Sequence, residues 1–177
     1  MKNGANNWYV ITGASSSGKT TVVKSLEAKG YKVVYETARV LIEQGLQKGL
    51  TVAAIRKDEQ AFQNEVLAMK IEIEKALDPG ELVFLDRAIP DTWAYDMLYH
   101  APHNALPEAN MRPGVYKEIF LLDRLPYAPD NVRVETKEQQ DKLHELIETI
   151  YRKLNYEPVN VPVLPVEKRV GFILSHL

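Results

Sequence analysis

An octapeptide near the N-terminus constrains this chain most strongly: Gly13-Ala14-Ser15-Ser16-Ser17-Gly18-Lys19-Thr20, which matches the pattern G-x-x-x-x-G-K-[ST]. An apolar run, residues 8–12, precedes it, and a segment with helical periodicity, residues 19–29, follows it. Glycines let the backbone wrap around an anion, so that successive amides and the start of the helix point at it. The pattern therefore predicts a phosphate-binding loop between a buried strand and a helix.

This loop also predicts the ligands ATP and Mg²⁺. Lys19 is expected to neutralise the β- and γ-phosphate oxygens, and the Thr20 hydroxyl to bind Mg²⁺. The residues expected to hold the nucleotide are Gly13, Ala14, Ser15, Ser16, Ser17, Gly18, Lys19, Thr20 and Thr21.

Short apolar segments alternate with helical ones along the rest of the chain. Strands are predicted at residues 8–12, 31–35, 82–86, 118–123 and 159–163. Helices are predicted at 19–29, 37–47, 55–76, 90–100, 136–154 and 166–174. The charged side chains of the long helix at 55–76, among them Arg56 and Glu74, are expected in solvent. The alternation predicts an α/β fold with a parallel sheet covered by helices on both faces. We expect a single domain over residues 1–177, with residues 1–7 flexible.

Two carboxylates are expected at the sheet edge that carries the loop. Asp86 ends the third predicted strand and Glu36 follows the second. In an open parallel sheet the carboxyl ends of the strands meet at the ligand crevice. Asp86 is expected to hold Mg²⁺ or to accept a proton, and Glu36 is the other candidate base.

Two arginines enclose a second feature, a proline-containing connection after the fourth strand. Arg124 and Arg133 flank it, and we expect residues 124–135 to form a lid that brings both guanidinium groups to the transferring phosphate.

Composition removes several classes of protein. Lys and Arg number 22 and Asp and Glu 24, a net charge of −2, so a bulk electrostatic hold on DNA or RNA is not expected. The absence of cysteine excludes thiol catalysis and Cys-ligated metals. No apolar run approaches the roughly 20 residues that a membrane span needs, so a cytoplasmic protein is expected. Oligomeric state and a preference for ATP over GTP are left open.

Two functions fit these features. The residue after Asp86 is Arg87 rather than a second acid, and residues 136–139 lack the Asp of a guanine-binding motif. Both facts favour phosphoryl transfer from ATP to a small-molecule acceptor over motor or switch work. The alternative is a nucleotide-binding regulator, or a slow NTPase, that acts through a protein or lipid partner.

Five segments in order resemble those of a known family. They are residues 13–21, 36–39, 86–91 with Tyr95, 121–135, and 151–156 leading to 161–162 and 167–170. The chain resembles P-loop kinases of the nucleoside and nucleotide type, and more closely the AAA-like ATP-binding family related to the ribosylnicotinamide kinase domain of NAD-biosynthesis proteins. It departs at Ser16, where such loops often carry glycine.

The resemblance implies a three-layer fold with sheet order 2-3-1-4-5, and ATP with Mg²⁺ at the loop. It also implies an acceptor like a nucleoside or a cofactor precursor, in contact with Glu36, Arg39, Gln63 and Arg87.

Overall fold

The computed structural model describes residues 5–99, 109–125 and 135–177. Five strands lie within them: β1 Trp8–Thr12, β2 Lys32–Val34, β3 Val83–Asp86, β4 Glu118–Leu122 and β5 Val159–Val161. Seven helices do so too: α1 Lys19–Ala28, α2 Thr37–Gln47, α3 Val52–Ile55, α4 Glu59–Ala76, α5 Ile89–Leu98, α6 Lys137–Lys153 and α7 Val166–Leu174.

All five strands pair in parallel in the order β2-β3-β1-β4-β5, which confirms the order that the resemblance implied. The central strand β1 pairs Ile11 with Asp86 of β3 and Thr12 with Leu121 of β4. Every residue of β1 is buried, as expected for a sheet covered on both faces. The loop after β1 therefore begins at the middle of the sheet edge.

Alternate residues of the strands enter two separate cores. Val10 and Leu85 face a core shared with α5 and α6, whereas Ile11 and Phe84 face a core shared with α1 and α7. The alternation follows from the two-residue period of a strand. Three layers result, and the predicted α/β class is confirmed.

The predicted long helix is divided. A short helix, α3, ends at Ile55, and α4 begins at Glu59. Asp58 has extended backbone angles, and its carboxylate accepts a hydrogen bond from the Ala61 amide at 2.9 Å, so it caps α4 and ends the continuity. Arg56 consequently falls in the turn.

The expectation that the charged groups of this segment lie in solvent was wrong for Arg56. Its side chain is 11% exposed, donates to Glu59 at 2.7 and 2.9 Å, and lies over the rings of Phe62 and Tyr99. Stacking on two rings and pairing with a carboxylate favour burial of a guanidinium group.

Among the helices within the described ranges, none has the length and apolar character needed to cross a membrane.

Candidate functional site

The loop between β1 and α1 has the backbone of an anion-binding nest. Gly13, Ser16 and Gly18 have positive φ angles of 137°, 63° and 82°. Ser16 thus adopts a left-handed conformation at the position where related loops often carry glycine. Serine in place of glycine therefore keeps the shape of the loop but adds local backbone strain. Gly18 directly precedes α1, whose N-terminus carries the positive end of the helix dipole.

Gly13 fills a space that no side chain fits. A Cβ placed there would lie 2.7 Å from the Leu122 carbonyl oxygen of β4, and the φ of 137° disfavours any L-residue. We expect Gly13→Ala to lower the free energy of unfolding by about 3 kcal/mol or more, from overpacking and strain together. Gly30→Ala is the control, because Gly30 also has positive φ but no atom within 4 Å of a Cβ; it should cost about 1 kcal/mol. Urea unfolding measures both, and equal losses would contradict the packing argument.

Lys19 folds back onto the loop. Its buried Nζ donates to the carbonyl oxygens of Gly13 at 3.0 Å and Ala14 at 2.8 Å. Burial, aided by the positive charge of Arg87, lowers the pKa of Lys19 to about 8, although Glu36 and other carboxylates oppose the shift. A charge held this way is available to a phosphate that enters the loop.

Asp86 lies at the end of β3 as predicted and is 2% exposed. Burial, together with the negative charge of Glu36, raises the pKa of Asp86 to about 7. Its Oδ1 atom has no hydrogen-bond partner among the described residues. An orphaned carboxylate oxygen beside a phosphate-binding loop fits a Mg²⁺ ligand, since Mg²⁺ usually takes one or two carboxylates and completes its shell with phosphate and water.

Glu36 and Arg87 form a buried ion pair, with Arg87 Nε 2.8 Å from Glu36 Oε1. Burial alone would raise the pKa of Glu36, but the attraction of Arg87, Lys19 and neighbouring cations outweighs it and lowers the pKa to about 2. Arg87 itself has a positive φ of 67°, and its guanidinium lies 5.0 Å from the Tyr95 ring centroid. Strained residues of this kind cluster at functional sites.

Asp91 is a buried hub whose role the sequence did not predict. Its carboxyl oxygens accept hydrogen bonds from the Ala88 amide at 2.9 Å, from Tyr151 OH at 2.7 Å and from the Thr12 hydroxyl. Arg87 Nη1 lies 3.4 Å away. Asp91 therefore links β1, α5, α6 and the Glu36 ion pair. The available signal was an acid at the third position of α5, where a carboxylate caps a helix.

Arg169 of α7 is a second residue that the sequence did not single out. Its guanidinium is buried and donates to the carbonyl oxygens of Ser17 at 2.5 Å, Asp123 at 3.0 Å and Pro162 at 2.8 Å. One planar fork thus joins the phosphate-binding loop to the ends of β4 and β5.

A cleft with a cavity volume of about 120 Å³ extends from the loop to the space between α2 and α4. Its apolar wall is formed by Ile42, Phe62 and Val66, which pack together. Gln63 and Arg39 also line it, and Gln63 Nε2 donates to Glu59 at 2.8 Å. The polar and charged lining of the cleft consists of Ser15, Ser16, Lys19, Thr20, Thr21, Glu36, Arg39, Arg56, Gln63, Lys70, Arg87, Thr92, Tyr95 and Glu135.

Of the two predicted lid arginines, the structure describes Arg124. Arg124 forms an ion pair with Asp141 of α6 and does not line the cleft. Arg133 and most of the predicted lid lie outside the described residues. Glu135, where the described chain resumes, accepts hydrogen bonds from Ser15 Oγ at 3.1 Å and Tyr99 OH at 2.7 Å.

The expectation that the Glu74 side chain of α4 lies in solvent was wrong. Burial raises the pKa of Glu74 to about 7, even though its carboxylate accepts a hydrogen bond from Tyr116 OH at 2.9 Å. The pKa of a glutamate in an unfolded chain is about 4.3. Between about pH 4.3 and pH 7, Glu74 is therefore protonated in the folded chain and ionised in the unfolded one. The free energy of unfolding consequently decreases as pH rises through this window.

We expect Glu74→Gln to remove that pH dependence. The difference in melting temperature, variant minus wild type, should be larger at pH 8 than at pH 5. The reason is that Gln keeps an acceptor for Tyr116 without a buried charge. Glu72→Gln, on an exposed part of α4, is the control. A difference that stays constant between the two pH values would contradict the shift.

Fold and loop together define a P-loop α/β protein with the architecture of nucleoside and nucleotide kinases. The sequence profile of the AAA domain family matches residues 8–169, and the chain belongs to that family. The family and the kinase-like fold that the five segments indicated are thereby confirmed.

Solved structures show the same architecture. Thymidylate kinase from Ehrlichia chaffeensis aligns with TM-score 0.68 and 16% identity over 97% of this chain and 98% of that one. Deoxyadenosine kinase from M. mycoides gives 0.66 and 15% over 96% and 97%. NadR protein in complex with NR gives 0.66 and 16% over 98% of this chain and 50% of that one. At these identities the likeness establishes the fold. A comparison with curated sequences gives no significant match.

Proposed function

We propose that this protein transfers the γ-phosphoryl group of ATP, with Mg²⁺, to a small acceptor of the nucleoside kind. The observation that carries the proposal is the cleft, which runs from the phosphate-binding loop to the apolar wall of Ile42, Phe62 and Val66. A protein that only bound or hydrolysed ATP would need no acceptor pocket beside the phosphate-binding loop. The likeness to a deoxyadenosine kinase and a thymidylate kinase supports it.

Each residue has a physical role in this proposal. The loop amides and Lys19 hold the β- and γ-phosphates, and Thr20 and Asp86 are the groups that would hold Mg²⁺. When bound, the metal supplies neutralisation of the phosphate charge. Ile42, Phe62 and Val66 would exclude water from the acceptor ring, and Arg87 would stabilise negative charge at the transferring group.

The two candidate bases differ in tuning. Glu36, with a pKa near 2, is a poor proton acceptor, whereas Asp86, with a pKa near 7, is tuned for one. We assign Glu36 to positioning of Arg87. Asp86 would accept a proton only when it does not hold Mg²⁺.

The proposal is tested by single-turnover assays with γ-labelled ATP, Mg²⁺ and a panel of nucleosides, nucleotides and cofactor precursors. We expect the label on an acceptor. Release of inorganic phosphate with no labelled acceptor across the panel would favour the slow NTPase or regulator instead.

A further inference from the structure

The part of the cleft around Glu36 carries an excess of positive side chains. Lys19, Lys70, Arg39 and Arg87 all lie close enough to Glu36 to lower its pKa, and all four line the cleft. Of the two carboxylates in the lining, Glu36 lies among these cations, and Glu135 accepts hydrogen bonds from Ser15 and Tyr99. The other carboxyl groups that act on Lys19 and Lys70 are Asp86, Asp91 and Glu74, none of which is among the described residues lining the cleft.

Two of these carboxyl groups outside the cleft lining, Asp91 and Glu74, already accept hydrogen bonds. Asp91 accepts hydrogen bonds from three donors besides Arg87, and Glu74 accepts one from Tyr116. Both lie outside the cleft lining, so within the lining the four cations face Glu36 and Glu135.

Lys70 is the least expected of the four cations. It lies on the buried face of α4, in register with Phe62 and Val66, and is 6% exposed. Its Nζ donates to the Ala88 carbonyl oxygen at 2.8 Å, and within the described ranges it forms no ion pair with a carboxylate. A buried ammonium group without a paired anion is costly, and burial accordingly lowers the pKa of Lys70. An anion that enters the cleft would offset this cost.

Arg39 and Arg87 complete the same arrangement. Arg39 Nε is buried and has no hydrogen-bond partner within the described part of the chain. Arg87 is oriented by Glu36 through Nε and by Asp91 through Nη1, so its fork is fixed before a ligand arrives. Fixed guanidinium forks suit phosphate oxygens.

From this cluster we infer that the acceptor already carries a phosphate: it is a nucleoside monophosphate whose phosphate is held by Lys70, Arg39 and Arg87. This rests on the proposed kinase function and narrows it. An oxygen of the dianionic acceptor phosphate forms a bond to the γ-phosphorus, and the bond between that phosphorus and the β–γ bridging oxygen breaks. ADP leaves, a nucleoside diphosphate forms, and no proton has to move. The low pKa of Glu36 agrees with such a reaction, because no general base is required.

The test compares the 5′-monophosphates AMP, GMP, CMP, UMP and dTMP with their nucleosides. Binding is measured by calorimetry, and turnover with ATP and Mg²⁺. We expect at least one monophosphate to bind and to be phosphorylated at least tenfold more efficiently than its nucleoside. Turnover of nucleosides in preference to monophosphates would overturn the inference and leave the kinase function standing.

Lys70→Met isolates the residue that carries the argument. The variant should raise the KM for the monophosphate about tenfold or more, since a hydrogen bond to a charged group contributes about 1.5–3 kcal/mol. The KM for ATP should stay unchanged. Its melting temperature should not fall, because a buried unpaired charge is removed and the Ala88 carbonyl still accepts from the Asp91 amide at 3.2 Å. A purely structural lysine would give the opposite, a lower melting temperature with unchanged KM.

Two further variants complete the design. Lys75→Met, on the exposed end of α4, is the matched control. Arg39→Gln, at a less buried position, is a second probe should Lys70→Met fold poorly. Monophosphate binding that Lys70→Met removes, without turnover of any acceptor, would support the anion site and reject the kinase reaction. No monophosphate binding at all would overturn the inference.

Discussion

Replacing Lys19 by alanine is expected to weaken binding of ATP with Mg²⁺ at least a hundredfold. Lys19 Nζ is buried against the loop carbonyls of Gly13 and Ala14, at the point where the phosphates are expected. Charge-assisted hydrogen bonds contribute about 1.5–3 kcal/mol each, and loss of two corresponds to a factor of about a hundred or more. Turnover should fall further, because stabilisation of developing charge is lost as well.

Calorimetric titration with a non-hydrolysable ATP analogue measures this effect. Lys24→Ala, an exposed position on the same helix, is the matched control and should bind as wild type does. The melting temperature without nucleotide should change little in Lys24→Ala, and in Lys19→Ala it shows that the variant is folded at the temperature of the titration. Wild-type affinity in Lys19→Ala would show that the nucleotide does not bind at this loop.

Asp91→Ala is expected to cause the largest loss of stability. The substitution removes the carboxyl group that accepts from the Tyr151 hydroxyl, the Ala88 amide and the Thr12 hydroxyl. It also leaves Arg87 with Glu36 as its remaining carboxylate partner among the described residues. Removing one partner of such a network costs about 3–5 kcal/mol, which for a chain of this size lowers the melting temperature on the order of 10 °C. Turnover should fall too, since Arg87 loses one of the two carboxyl groups that orient it.

Tyr151→Phe provides the comparison, because it deletes a single bond of the network and should cost about 1 kcal/mol. Calorimetry on both variants gives the difference directly. If Asp91→Ala melted within a few degrees of Tyr151→Phe, Asp91 would not be the hub that links the strands to α6.

Much of the site was predictable because its signals are local. Gly13, Lys19 and Thr20 stand in one octapeptide, and Glu36 and Asp86 each follow a recognisable strand. Parallel strands end at one edge, so topology alone was enough to bring these groups together. The functional roles assigned to these residues remain predictions.

The residues that were missed depend on contacts between distant segments. Lys70 stands at the spacing of Phe62 and Val66, which marks the buried face of α4, yet the pattern alone could not show that this face meets the cleft. Arg169 was within a segment that resembles the family, but its three acceptors lie in three other parts of the chain. Arg56 was assigned to solvent because the cap at Asp58, which divides the helix, was not recognised.

The phosphate-binding loop, the parallel sheet and the carboxylates at its edge could be predicted from the sequence. Backbone propensity and the apolar periods of strands and helices act over only a few residues. Which charged groups are buried, which are paired and what they face depends on the tertiary structure. Those properties depend on desolvation and on Coulomb interactions across segments far apart in the chain. The pKa values of Glu36 and Asp86 therefore moved in opposite directions, although the sequence presented both as candidate bases.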